Sequence, residues 1–108
     1  MSLPKIAVTM GDPAGIGPEI CLHLLQNKDL AKQCVPIIFG DRMVLEQAAE
    51  QCGLTKPTTY INGLTEAEGP CVLDLSAIPL SDFETGTINA ATGRAGYTYV
   101  EDAINAAL

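Results

Sequence analysis

Apolar residues recur along this chain in two alternating rhythms. Lys5–Thr9 is a short β-rich run, and residues 35–39, Val-Pro-Ile-Ile-Phe, are almost continuously apolar. A short unbroken apolar run predicts a strand buried on both faces. Residues 58–61 and 71–75 are two further strand candidates. Helical spacing fills the gaps. Residues 18–27 place Ile20, Leu24 and Leu25 on one side. Arg42–Cys52 carries Leu45, Ala48, Ala49 and Cys52 at i, i+3, i+4 and i+7, and Gly53 is a good stop. A last helix is expected from about Thr92 onward, with Val100, Ala103, Ile104 and Ala107 on one face. Residues 62–70 read as a polar loop, and residues 78–93, with Pro79, Gly86 and Gly93, as a long connection. There are no internal repeats, heptads or low-complexity tracts. Strands alternating with helices predict an α/β domain built on a parallel sheet.

The junction between the first strand and the first helix is the most informative stretch. Residues 8–20 read Val-Thr-Met-Gly-Asp-Pro-Ala-Gly-Ile-Gly-Pro-Glu-Ile. Glycines at 11, 15 and 17 allow tight turns and close approach of backbone to a ligand. Pro18 suits the first helical position, where its missing N–H costs nothing. The free amides behind it would face an anion or a polar ligand edge. A strand, a Gly-rich turn and a helix start together form a nucleotide-facing corner, or equally a tight turn with no ligand. Two familiar motifs are excluded. A P-loop needs Gly-Lys followed by Ser or Thr, whereas Gly17 is followed by Pro18 and Glu19. The dinucleotide fingerprint G-x-G-x-x-G is also absent, since the spacing here is G-x-x-x-G-x-G. Glu19 complements the helix dipole itself and would repel a bare phosphate at that spot.

The run from Thr9 to Glu19 closely resembles the opening of the 4-hydroxythreonine-4-phosphate dehydrogenases, the PdxA family of vitamin B6 synthesis. Gly86-Thr-Ile-Asn-Ala-Ala-Thr-Gly93, followed by Ala95-Gly-Tyr-Thr-Tyr-Val-Glu-Asp-Ala-Ile104, resembles that family's segment leading into a long helix. Between them, Ile37-Ile38-Phe39-Gly40-Asp41 is similar to its second strand and turn. A shorter relative of the first motif opens the isocitrate and isopropylmalate dehydrogenases, which share the family's fold. The resemblance therefore implies a three-layer, Rossmann-like sheet fragment of the isocitrate/isopropylmalate dehydrogenase-like fold. It implies that residues 1–108 are a single N-terminal α/β segment of a longer enzyme. It further implies a cofactor-binding loop at Gly11, Asp12, Pro13, Ala14, Gly15, Ile16 and Gly17. The cofactor would be NAD or NADP, assisted by a divalent metal (Zn, Mg, Mn or Co). The expected substrate is a small phosphorylated hydroxy acid that is oxidised and decarboxylated: 4-phosphohydroxy-L-threonine, or threonate or erythronate 4-phosphate. Some relatives act on aromatic dihydrodiols. The reaction would serve pyridoxal phosphate biosynthesis or sugar-acid catabolism, in a homodimer. The family's metal histidines, phosphate contacts and catalytic lysine lie further along than residue 108, so neither catalytic nor metal-binding residues are assigned within this chain.

Composition fits that picture. Of the 108 residues 47% are hydrophobic and 18% charged, too apolar for a disordered chain. The formal charge of −7 argues against nucleic acid or an anionic membrane as partner. No apolar run approaches the ~20 residues of a membrane span, and the start lacks a signal peptide's apolar stretch. A cytoplasmic location is therefore expected. The last residues, Asn105-Ala-Ala-Leu108, read as mid-helix, with neither Gly nor a cationic last turn, which suggests truncation.

Other chemistry-bearing residues have plain readings. Cys21, Cys34, Cys52 and Cys71 form no C-x-x-C pair and are expected to be reduced core thiols. His23 stands alone on helix one, so packing or surface placement is expected rather than metal ligation. Asp12 would cap a turn or touch a ligand. Asp41, after strand two, would cap the next helix or bind a ribose. Arg94 and Tyr97, following Asn89 and Thr92, would face a partner subunit, a substrate or only solvent. The rival functions are a stand-alone nucleotide-binding module without catalysis, and an interaction or assembly domain with a purely structural loop.

Overall fold

The computed structural model describes residues 3–77 and 90–107. Four strands, β1 (Lys5–Thr9), β2 (Val35–Gly40), β3 (Tyr60–Ile61) and β4 (Cys71–Asp74), form one parallel sheet in the order β1-β2-β4-β3. The helices are α1 (Gly17–Leu25), α2 (Lys28–Ala31), α3 (Arg42–Cys52) and α4 (Ala90–Ala107). All six β2 residues are buried, as its unbroken apolar run requires. β2 is covered from both sides: α1 packs on α3 and touches β2, and α4 lies across β1 and β2. The three-layer α/β expectation holds.

Register brings the carboxyl ends together. Thr9 pairs with Phe39, and Gly40 with Asp74. Bonds from Met10 N to the Phe39 carbonyl (3.1 Å) and from Leu75 N to the Gly40 carbonyl (2.8 Å) carry both ladders one step past the strands. The segments leaving β1, β2 and β4 therefore emerge side by side. Ligands of open α/β sheets bind at such ends.

Boundaries follow local chemistry. α3 begins and ends where its spacing and Gly53 predict, and Gly53 closes it at φ 69°. α1 ends two residues early. Asn27 then caps the separate short α2 by accepting from Leu30 N at 3.0 Å. Only Tyr60 and Ile61 of the third strand candidate are paired, and Leu64–Glu66 forms a 3-10 turn inside the polar loop. α4 starts at Ala90, two residues before the expected position. Residues 78–89, most of the expected long connection, lie outside the described residues.

Two helix faces differ from the sequence expectation by about one position. On α1 the buried residues are Pro18, Cys21 and Leu22, while Ile20 is 50% exposed. On α4 they are Thr92, Ala95, Tyr99 and Ala103, while Val100 and Ile104 face outward. Of the face expected on α3, Leu45 and Ala49 are buried but Cys52 is exposed, and Val44 joins the core instead. On α4 small residues and a tyrosine seat closer to the sheet than the larger aliphatics, because a small side chain lets the helix approach.

Candidate functional site

The loop between β1 and α1 is shaped by its own backbone. Gly11 sits at φ +73°, a region that a side chain disfavours. Asp12 makes the turn twice over: Oδ1 accepts from Ala14 N at 2.9 Å, and its carbonyl accepts from Gly15 N at 2.9 Å. The expected turn-capping role of Asp12 is present. At Gly17 an added Cβ would overlap the Met10 carbonyl oxygen, so the helix can start only on a glycine. Gly40 makes room for the Met10 side chain in the same way, its Cβ position lying 2.9 Å from Met10 Sδ. Met10 itself is buried. Gly15 differs. It is exposed, and its Cβ position meets only the Asp12 carbonyl oxygen, at 3.3 Å. Gly11 and Gly17 thus have internal reasons, and Gly15 is the loop glycine turned to solvent.

Beside it, Ile16 is 75% exposed. The first helical bond runs from Ile20 N to the Ile16 carbonyl, which leaves the Gly17 and Glu19 amides without an intrahelical acceptor. Pro13, Ala14, Gly15 and Ile16 form one wall of a cleft of about 310 Å³; Val44, Ala48, Gln51 and Cys52 of α3 form the other. Glu19 also lines it, and no Lys or Arg does. Such a cleft suits an uncharged, flat ligand portion better than a phosphate.

The opposite side of the loop is held by α4. Thr92 Oγ1 donates to Asp12 Oδ2 at 3.3 Å, and the Cβ position of Gly96 lies 3.3 Å from Gly11 C, Gly11 O and Asp12 N. One turn further along, the Tyr99 hydroxyl donates to Asp41 Oδ1 at 2.9 Å. Burial, and then the Asp41 carboxylate, push the Tyr99 phenol well above its usual range, so it stays protonated as a donor.

Asp41 occupies the expected N-cap position of α3, its carbonyl accepting from Leu45 N at 3.1 Å, but its side chain is used elsewhere. Its side chain makes no cap bond to α3, and it is only 2% exposed, out of reach of a ribose. Its Oδ1 instead takes Tyr99 OH and Ala77 N (2.9 Å). Asp74, at the end of the neighbouring strand, takes the α3 terminus in its place, accepting from Arg42 N at 3.1 Å. The same Oδ1 also accepts from Ser76 N (3.1 Å), and Ser76 has a left-handed φ of 47°. No sequence pattern marks a cap supplied from 32 residues away. Gly96 did carry a signal: an isolated glycine inside a helical pattern usually has a packing reason.

The remaining candidates stay apart. His23 is exposed on α1, 4.0 Å from Glu19 Oε1. Among the described residues no group of His, Cys, Asp and Glu could hold a metal ion. The residues present thus do not fit the divalent metal that the resemblance implies. Cys21 and Cys71 are buried thiols, but Cys52 is exposed on the cleft wall, contrary to a core placement. Burial raises the Cys21 thiol to about 11. Tyr97 is 70% exposed and Arg94 is also exposed, neither reaching the Asp12 turn. Asn89 lies outside the described residues. Among the described residues no helix is long and apolar enough to cross a membrane.

Fold and loop together define a parallel α/β domain with its Gly-rich turn at the strand carboxyl ends. No family model matches the sequence. Individual proteins do. Over 96% of its length the chain is 31% identical to a protein of Fusobacterium nucleatum provisionally named D-threonate 4-phosphate dehydrogenase. A protein of the same name from Symbiobacterium thermophilum is 33% identical over 97% of the chain. Among solved structures, a 4-hydroxythreonine-4-phosphate dehydrogenase from Burkholderia phymatum superposes on 99% of the chain with a TM-score of 0.85 and 34% identity. A terephthalate 1,2-cis-dihydrodiol dehydrogenase from Burkholderia xenovorans matches with a TM-score of 0.72 and 28% identity. The chain is thus similar, over nearly its whole length, to the 4-hydroxythreonine-4-phosphate dehydrogenase (PdxA) family, and it spans about a third of the length of the relatives it matches.

Proposed function

We propose that residues 1–108 are the N-terminal part of an NAD(P)-dependent, divalent-metal-assisted dehydrogenase. It oxidises and decarboxylates a phosphorylated hydroxy acid, 4-phosphohydroxy-L-threonine or a threonate or erythronate 4-phosphate, in pyridoxal phosphate biosynthesis or sugar-acid catabolism. In this reading the enzyme is a cytoplasmic homodimer. The loop from Gly11 to Gly17 lines the cofactor site. Gly15 and Ile16 face the ligand, while Asp12, Pro13 and Ala14 give the turn its shape. Metal, substrate phosphate and the reacting carbon are held by residues outside this chain. The described residues carry a single histidine, exposed on α1, and no group of His, Cys, Asp and Glu that could hold a metal ion.

The observation that supports this reading most strongly is the exposure of Gly15 beside the cleft. It is the loop glycine whose side-chain-free surface faces solvent with only one near neighbour. Close backbone approach to a ligand is the reason that remains for a glycine there. The test is Gly15→Val in the complete gene product. Dinucleotide affinity, measured by calorimetry, should fall with the fold intact by circular dichroism. Unchanged affinity in the folded variant would sink the assignment.

A further inference from the structure

We propose that α4 is a positioning element for the Gly-rich loop. Thr92 and Gly96 set dinucleotide affinity through the loop's shape, without touching the dinucleotide. This rests on the reading of the loop as the cofactor site.

Thr92, Gly96 and Tyr99 lie at i, i+4 and i+7, one face of the helix. That face spans the carboxyl ends of two strands. Thr92, fully buried, donates its hydroxyl to Asp12 Oδ2. Asp12 is also the residue whose Oδ1 and carbonyl close the loop turn onto Ala14 and Gly15. One carboxylate thus links the helix to the turn. Gly96 lets the helix axis come close, with its Cβ position in tight contact with Gly11 and Asp12 backbone. Gly11 is the left-handed residue of the loop, so a shift there would redirect everything after it. Tyr99 anchors the same helix to Asp41 at the end of β2.

The ligand-facing residues are on the other side. Gly15 and Ile16 are exposed on the cleft between the loop and α3, whereas α4 presses on Gly11 and Asp12 from the opposite layer. A solvent-facing loop is ordinarily the mobile part of a fold. Ordering it on binding costs affinity, and a loop already braced avoids that cost. Isolated glycine weakens a helix interior; at position 96 it serves the close approach.

The experiment compares Thr92→Val, Thr92→Ser and Gly96→Ala in the complete gene product. Valine keeps the branched shape and removes the hydroxyl. The KM for the dinucleotide should rise by about tenfold in Thr92→Val, the effect of one lost hydrogen bond. The kcat should change far less, and Thr92→Ser should recover most of the loss. Gly96→Ala should weaken binding in the same direction and carries the test if Thr92→Val does not fold. Wild-type KM in Thr92→Val overturns the proposal, and so does a serine variant as impaired as the valine one. Weakening by Gly15→Val with none by Thr92→Val removes this inference and leaves the loop assignment standing. No weakening in either removes both.

Discussion

The hydroxyl of Tyr99 and the carboxylate of Asp41, 58 positions apart in the chain, meet at 2.9 Å with both residues sealed from solvent. The bond ties α4 to the carboxyl end of β2. Tyr99→Phe keeps the ring and deletes one donor to Asp41 Oδ1, which also accepts from Ala77 N. We expect a loss of about 1–3 kcal/mol in urea unfolding, because a buried carboxylate is left short of a partner. An unchanged midpoint would show that the bond adds nothing.

Glycine substitutions in the loop should rank by geometry. Gly17→Ala should be the most disruptive, since its Cβ overlaps Met10 backbone, and the variant should fail to fold cooperatively. Gly11→Ala meets no atom but must hold φ +73°, for a cost of about 1 kcal/mol. Gly15→Ala needs only a slight shift of the Asp12 carbonyl and should be the mildest. Thermal midpoints of the three variants check the order. A destabilised Gly15→Ala beside a tolerated Gly17→Ala would invert it.

Much of this was legible in the residues. The unbroken apolar run gave β2, the i, i+3, i+4, i+7 spacing gave α3, and Gly53 gave its end. The loop was legible because glycine and proline constrain backbone locally. What failed was long-range. Ile20, Val100 and Ile104 looked like core residues by hydropathy, yet packing against the sheet favoured the smaller Cys21, Ala95 and Ala103 beside Tyr99. Asp41 does stand at the N-cap of α3, but the sheet register brings Asp74 to supply the capping side chain. The site's outer brace, Thr92 and Gly96, lies some 80 residues from the loop in sequence, and only the fold joins them.

Stability should fall on the alkaline side. Burial pushes Cys21 from its ordinary 9.0 to about 11, and raises Cys71, Tyr60 and Tyr99 as well. In each case the folded-state pKa exceeds the unfolded one. The contribution is intact at lower pH and is lost as pH rises through the interval, from 9.0 to about 11 for Cys21. That interval corresponds to about 3 kcal/mol. Unfolding free energy measured against pH should decline there, and Cys21→Ala should flatten the decline. A flat wild-type profile would contradict it.

The outer face of α4 carries Tyr97, Val100 and Ile104, all exposed. β1 is an edge of the described sheet, with Ile6 46% exposed. Apolar surface and an open edge favour association. The 108-residue chain should therefore sediment as a dimer or larger species, and Val100→Lys with Ile104→Glu should shift it toward monomer. A monodisperse, cooperatively unfolding wild-type monomer would contradict this and favour a self-sufficient binding module.

The central claim is tested most directly by assaying cofactor reduction. The complete gene product would be given NAD or NADP, a divalent metal, and in turn 4-phosphohydroxy-L-threonine, threonate 4-phosphate and erythronate 4-phosphate. The account predicts metal-dependent formation of NADH or NADPH with at least one of them, abolished by chelation, and none from the 108-residue chain alone, among whose described residues no group could hold a metal ion. Absence of reduced cofactor with every substrate, or turnover by the 108-residue chain itself, would contradict it.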